Sequence, residues 1–286
     1  MHQYKHQFEQ DGFCIIKGAV KSETVHRANL AIDEFRMLHD SMLMKEGLLA
    51  NNLLQRVINL HRSIFVFKDV FIESLENSSA VTDQYGRSTL YTSLFYELGS
   101  QQPLHRDTPY FFSGKSSGGY LGVWAALDDV DQENGPLMAI KGSHKLGEPD
   151  LEMLKHKYHP DEAVPPSSPP LFDAYNNELI SLANNAGLEK KVFEVEKGDV
   201  IVWHPATLHG GMLHKNPKKT RRSFVMHVTP ENMPIHHMDY FFDRQKKIHK
   251  VNKDYEDYNG RLIENGSKID FMHKKLFDAK KLGFFK

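Results

Sequence analysis

His105 and Asp107 stand two positions apart in PLHRDTPYF, residues 103–111. An imidazole and a carboxylate are both metal-ligating groups. On an extended strand, residues i and i+2 project to the same face, about 6–7 Å apart along the chain. The pair can therefore converge on one ion while Arg106 points away. Whether this segment is a metal site or an ordinary strand end turns on a third ligand elsewhere. VIVWHPATLHGGMLHKNPKKTRRSF, residues 200–224, offers His204, His209 and His214. His209 is the strongest choice. It follows a strand-like run, lies past Pro205, and precedes Gly210-Gly211, where backbone can approach a ligand closely. His204 reads as a packing residue and His214 as a solvated member of a Lys-rich loop. The chain carries 17 histidines, so chance pairs are common and spacing alone decides nothing.

Two imidazoles and one carboxylate on one face of an ion leave three coordination positions open. That is the facial arrangement of non-haem Fe(II) oxygenases. A chelating co-substrate can take two of those positions and O2 the third. A structural zinc site is instead closed by four protein ligands, usually with cysteines, and this chain has a single cysteine. Arg221 and Arg222 follow His209 by about a dozen residues and open RRSFVMHV. A guanidinium beside such a pocket binds a carboxylate bidentately. 2-Oxoglutarate offers one, because its keto-acid end can chelate while its far carboxylate meets the arginine. The other arginine then belongs to the surface cluster KNPKKTRR.

These residues need a scaffold. The chain has 286 residues, within the range of one large β domain. Apolar residues make up 40% and charged residues 26%, as in soluble globular proteins. A formal net charge of −1 gives no electrostatic case for a nucleic-acid or membrane partner. No apolar run approaches the roughly 18 residues of a membrane span, and MHQYKHQFEQDGF lacks the apolar centre of a secretory signal. Cys14, in GFCIIKG, reads as a buried inert thiol with no internal disulfide partner. A cytoplasmic location and a small-molecule substrate are the expectations; oligomeric state is not legible.

YKHQFEQDGF predicts a short helix stopped at Gly12, and FCIIKG a strand. Ser22 is placed as the cap of a helix with Val25, Leu30, Ile32 and Phe35 on its apolar face. NLLQRVINLHRSIFVFKDVFIESLEN reads as helical and STLYTSLFYELG as strand. From about 91 to 230 the texture is β: YLGVWAALDDV, a strand after the Asn134-Gly135-Pro136 turn, a hairpin in KVFEVEKGDVIVWHP, and RRSFVMHVTP. Residues 146–190 interrupt this pattern, with VPPSSPPLFDAYNN as a loop of lid or binding type. Residues 235–286 read as a charged, mostly helical segment. The whole is expected to be one domain, 1–286, mainly β with flanking helices.

The chain resembles the phytanoyl-CoA dioxygenase family of Fe(II)/2-oxoglutarate oxygenases from its N-terminus to about Pro230. The resemblance is carried by FEQDGFCIIKG, RVINLH, HRD, VWAALDDVDQENGPLMAIKGSHK, LHGG and the arginine after it. It implies a double-stranded β-helix core, a jelly-roll of cupin type buttressed by helices. It implies His105, Asp107 and His209 as iron ligands, Arg221 as the anchor of 2-oxoglutarate, and Trp124 in the co-substrate pocket. Arg221 is preferred to Arg222 because the family pattern is an arginine, any residue, then a small one. Gly211 stands where many members carry a serine, and Ser143 and His144 are expected to fix a loop. The implied reaction consumes 2-oxoglutarate and O2, releases succinate and CO2, and oxidises a substrate C–H bond. Asp107 favours hydroxylation over halogenation, because family halogenases have a small residue there. Tyr96, Tyr110, Phe111 and Phe112 are candidate pocket walls, and the insertion and the histidines of MPIHHMDYFF candidate substrate contacts. Two rivals remain: a cupin-type metal hydrolase or isomerase, and a non-catalytic binding protein with a relic site.

Overall fold

The computed structural model describes residues 2–99, 101–114 and 119–286. In chain order it runs α1 (His2–Asp11), β1 (Phe13–Ile16), α2 (Ser22–Lys45), β2 (Leu49–Ala50), β3 (Leu53–Leu54), β4 (Arg56–Ile58) and α3 (Val66–Thr82). Then come β5 (Ser88–Tyr96), β6 (Gln102–His105), β7 (Leu121–Ala126) and β8 (Leu137–Ile140). α4 (Leu151–Tyr158) and α5 (Pro169–Asn185) precede β9 (Lys190–Val192), β10 (Val200–Trp203), β11 (His209–Gly211) and β12 (Ser223–Pro230). The chain ends with α6 (Met238–Phe241), β13 (Tyr255–Tyr258), β14 (Arg261–Glu264), β15 (Lys268–Phe271), β16 (Lys275–Asp278) and α7 (Ala279–Leu282).

Eight of these strands form two antiparallel sheets of four. β10, β7, β12 and β5 are consecutive neighbours in the larger sheet, and β6, β11, β8 and β9 make the smaller one. That is the jelly-roll expected from the sequence. The larger sheet continues into β1 at one edge and into β4, β15 and β16 at the other.

Alternation along the strands divides the core. On β12, Phe224, Met226 and Val228 join the cluster shared with α2 and α3, where Phe224 stacks on Phe67 at 4.5 Å. Val225 and His227 face the barrel interior with Trp124 and Tyr96. On the same count Arg221 points inward and Arg222 outward. Burial of an aromatic such as Phe67 stabilises by about 1.5–3 kcal/mol, so the helical buttress holds this parity firmly.

Several local expectations are corrected. The segment 146–190 is not one long loop: Pro169 and Pro170 open α5 at its first two positions, where proline costs no helical hydrogen bond. Residues 235–286 are mainly strands rather than helices. The signal was Asn259-Gly260 between YEDY and RLIE, both with positive φ (49° and 79°), which makes β13–β14 a hairpin. KVFEVEKGDVIVWHP is not a hairpin, because β9 pairs with β8 and β10 with β1 and β7. The turn at Gly198 instead carries the chain from one sheet to the other. In NLLQRVINLHRSIFVFKDVFIESLEN, β3 and β4 occupy the start of the stretch, a single 3-10 turn follows at Leu60–Arg62, and only from Val66 onward is it α-helical. Helix α2 begins at Ser22 with Lys21 as its cap, and Leu30 is exposed.

Glu97, 2% exposed, closes the outer side of this sheet. It accepts from Arg36 Nη1 at 2.5 Å, Arg222 Nη2 at 2.8 Å and Leu54 N at 2.9 Å. Arg222 also pairs with Asp33. Removing one member of a buried ionic cluster leaves the others uncompensated. Glu97→Ala is expected to lower stability by about 3 kcal/mol, read as the shift in urea midpoint.

Candidate metal centre

β6 and β11 pair antiparallel with His105 directly across from His209. Their rings lie 4.5 Å apart. Asp107 follows β6 in a bend, fixed by its N–H donating to Pro205 O at 3.1 Å. Its carboxylate reaches both imidazoles, with Oδ1 3.8 Å from His105 Nε2 and Oδ2 3.6 Å from His209 Nε2. One donor atom from each of the three lies within 4.8 Å of the other two. The sequence-predicted triad is therefore assembled, although Asp107 lies just beyond β6 rather than on it.

The donor set suits a divalent metal. His105 Nδ1 bonds Pro103 O at 2.8 Å, and His209 Nδ1 bonds Thr207 O at 3.0 Å. A carbonyl can only accept, so each Nδ1 carries the proton and each Nε2 is left with its lone pair toward the centre. Burial pushes His209 down to about 4, against the opposing pull of Asp107, so it is neutral near pH 7. Burial raises the Asp107 pKa, but His209, His105 and His227 and a hydrogen bond from Trp203 outweigh it and hold the carboxyl below its usual range. Asp107 Oδ2 accepts from Tyr120 Oη at 2.9 Å and Trp203 Nε1 at 3.0 Å.

Those two supports were not read from the sequence. Trp203 sits across from Gly122, and a Cβ there would lie 2.0 Å from the indole. Glycine at this strand position lets the indole cross β7 to Asp107. Gly210 is required similarly, since a Cβ would meet Gln102 O at 2.6 Å on β6. Arg106 does point away: its Nη2 donates to Ser143 O and Leu146 O, and its N–H donates to Asn176 of α5. Ser143 Oγ in turn accepts from Leu208 N, beside His209. His204 is buried, and His214 is tied to Gly99 and Asn216 rather than freely solvated.

The triad opens into a cavity of about 870 Å³. At one end Arg221, 1% exposed, donates Nη1 to Gly135 O and lies 5.7 Å from the Tyr96 ring. Its Nε and the Trp124 Nε1 are buried with no hydrogen-bond partner among the described residues. Burial lowers Arg221 to about 10, so it stays charged at neutral pH. The other end is walled by Tyr91, Tyr110, Phe111, Phe172 and His227. Tyr91 is the extra residue of a bulge in β5, opposite His227/Val228. Phe112 does not line the cavity; it packs on Phe241. The insertion supplies Ser167, Phe172, Asn176 and Ile180, and the histidine pair supplies His237 only.

A jelly-roll with a two-histidine, one-carboxylate cluster inside it defines a metal-centre protein of the double-stranded β-helix class. The chain belongs to the family described as Phytanoyl-CoA dioxygenase (PhyH), whose sequence profile matches residues 8–223. It is 22% identical over 267 residues to the peroxisomal phytanoyl-CoA dioxygenase of Bos taurus, covering 85% of this chain and 72% of that protein. Its fold is similar to that of SnoK, an alpha ketoglutarate dependent carbocyclase from nogalamycin biosynthesis. The TM-score is 0.58 at 15% identity, covering 92% of this chain and 96% of that one. EctD from S. alaskensis, solved with 2-oxoglutarate and 5-hydroxyectoine, matches at TM-score 0.58 and 16% identity, covering 82% and 78%.

Two outcomes follow from this geometry. Gly122→Ala displaces the Trp203 indole from Asp107 and is expected to weaken Mn(II) binding by about tenfold or more, measured by calorimetric titration. His209 and His227 are both held near 4 by burial, against 6.5 for free histidine. Below about 6.5 the unfolded chain takes up protons that the folded chain refuses until about 4. The stability of the metal-free protein should therefore fall as pH is lowered through that window. The loss is on the order of 3 kcal/mol per histidine, and His227→Gln should flatten the urea-midpoint slope.

Proposed function

We propose that this protein is an Fe(II)- and 2-oxoglutarate-dependent dioxygenase that hydroxylates a C–H bond of a small-molecule substrate, with O2 as oxidant and succinate and CO2 as co-products. The observation that carries this reading is one cavity holding three converging donor atoms and, at its far end, a buried arginine with unused donors. His105, Asp107 and His209 would hold the iron. Arg221 would bind the distal carboxylate of 2-oxoglutarate, and Trp124 would line that subsite. A bound ion would supply the open coordination positions for the keto acid and O2.

The chain's own residues do the rest. Gly135 O fixes one guanidinium nitrogen of Arg221, so the remaining donors are aimed before the co-substrate arrives. Burial strengthens that charge pair and excludes competing water. Tyr120 and Trp203 hold the Asp107 carboxylate in one orientation, and the carbonyls of Pro103 and Thr207 hold the imidazoles. Asp107 occupies a position that a halide would need, which supports hydroxylation over halogenation. Ring formation is the alternative oxidative outcome, because a carbocyclase shares this fold. A cupin-type hydrolase or isomerase has no use for the buried arginine. The single cysteine, Cys14, is buried and has no disulfide partner within the chain, which supports a reducing compartment such as the cytoplasm.

His209→Ala is expected to abolish iron-dependent conversion of 2-oxoglutarate to succinate, and EDTA should do the same to the parent protein. Arg221→Ala should raise the KM for 2-oxoglutarate by at least about thirtyfold. Arg222→Ala should lower stability and leave that KM within about twofold, because its partners Asp33 and Glu97 lie outside the cavity. Unchanged turnover in folded His209→Ala would rule out the ligand set.

A further inference from the structure

Building on the oxygenase reading, we propose that Arg56 anchors the substrate, and that the cavity selects a compact, ring-bearing apolar body with one anionic group rather than a coenzyme A thioester. β4 extends the larger sheet beside β5, with Arg56 across from Tyr96 and Ile58 across from Leu94. Val57 faces the helical buttress, so Arg56 and Ile58 face the cavity and line it. Among the described residues the Arg56 guanidinium has no carboxylate within salt-bridge distance and no hydrogen-bond acceptor. The neighbouring arginines differ: Arg222 is paired with Glu97 and Asp33, and Arg106 is held by two carbonyls. A guanidinium left unpaired on a partly apolar wall is matched best by an anion, which it can grip bidentately.

The remaining charges leave Arg56 as the cation available to substrate. Among the lining residues Arg221 is taken by the co-substrate and Asp107 by the metal. Asp173 stands exposed at the mouth on α5. His273, also lining, is tied to Asp270 at 2.8 Å. One free guanidinium suits one carboxylate or phosphate. A coenzyme A thioester brings several phosphate groups, a charge that the one free guanidinium on this wall does not match.

The body is set by the walls. Tyr110 and Phe172 lie 4.7 Å apart, Tyr91 and Phe111 meet edge-on at 6.4 Å, and Phe111 meets His227 at 4.5 Å. Such faces favour offset or edge contacts with a ring. His227 is 6% exposed and its Nδ1 has no hydrogen-bond partner among the described residues, so it offers one polar contact amid these rings. The 870 Å³ must also hold the co-substrate, which keeps the body compact.

The test is calorimetric titration of the full chain loaded with Mn(II) and 2-oxoglutarate. The probes are 3-phenylpropionate, 3-phenylpropionamide, 2-phenylethyl phosphate and 3-phenylpropionyl-CoA. One of the two simple anions is expected to bind at least about tenfold tighter than the amide, and no weaker than the thioester. Which of them binds tighter identifies the anionic group as carboxylate or phosphate. Arg56→Gln should bring the preferred anion and the amide within about twofold, and Arg56→Lys should restore much of the difference, with circular dichroism reporting the fold of both. Neither anion binding tighter than the amide, tightest binding of the thioester, no binding by any probe at millimolar concentration, or discrimination surviving in Arg56→Gln would each overturn the proposal. Titration with 2-oxoglutarate comes first. If it does not bind the Mn(II)-loaded chain, the oxygenase reading falls, while the acid-over-amide comparison still reports on Arg56.

Discussion

The antiparallel pairing of β6 with β11 is the contact on which the rest of the site depends. It sets His105 across from His209, and everything else at the centre adjusts to that spacing. Asp107 must then turn out of line with its strand to reach both rings, and it is held there by Pro205 O, Tyr120 and Trp203. A facial ligand set works only if one side of the ion stays free of protein. The pairing achieves this by drawing all three donors from one rim of the barrel and leaving the opposite space to the cavity.

Polarity along the inner face is the second constraint. The row Thr92–His227–Gly122–Trp203 crosses the larger sheet near Asp107, while Tyr96 and Ser223 pair further along, toward Arg221. A molecule stretched between the triad and Arg221 therefore lies along β12 over Val225 and Trp124. That leaves the aromatic end, with Tyr91 and Phe111, to whatever is being oxidised. Division of one cavity into two subsites is a direct result of strand periodicity.

Much of this was legible in the sequence, and the misses have physical causes. The triad could be found because metal ligands are chemically specific and the glycines after His209 mark a close backbone approach. Arg221 was preferred to Arg222 on the family pattern, and Arg221 is the one that lines the cavity, because Phe224, Met226 and Val228 turn the even positions of β12 toward the helices. Trp203 and Tyr120 were missed because an aromatic in a buried strand reads as core, and only the space above Gly122 shows the indole reaching a carboxylate. Arg56 was hidden in a segment misread as helical, where its face could not be assigned. The C-terminal strands were obscured by lysines and acids at positions open to solvent, although Asn259-Gly260 marked their turn. Helix α5 was hidden by prolines that begin a helix as readily as they break one.

Asn176 joins two duties that could have been kept apart. Its side-chain carbonyl receives the backbone N–H of Arg106, between His105 and Asp107 of the triad, while its own helix forms a wall of the cavity. Remodelling that wall for a new substrate thus pulls on the metal loop unless Asn176 stays where it is. Natural or laboratory divergence of specificity is funnelled toward Asp173, Asn177 and Ile180 on the same wall, because Phe172 packs its ring 6.1 Å from that of His105.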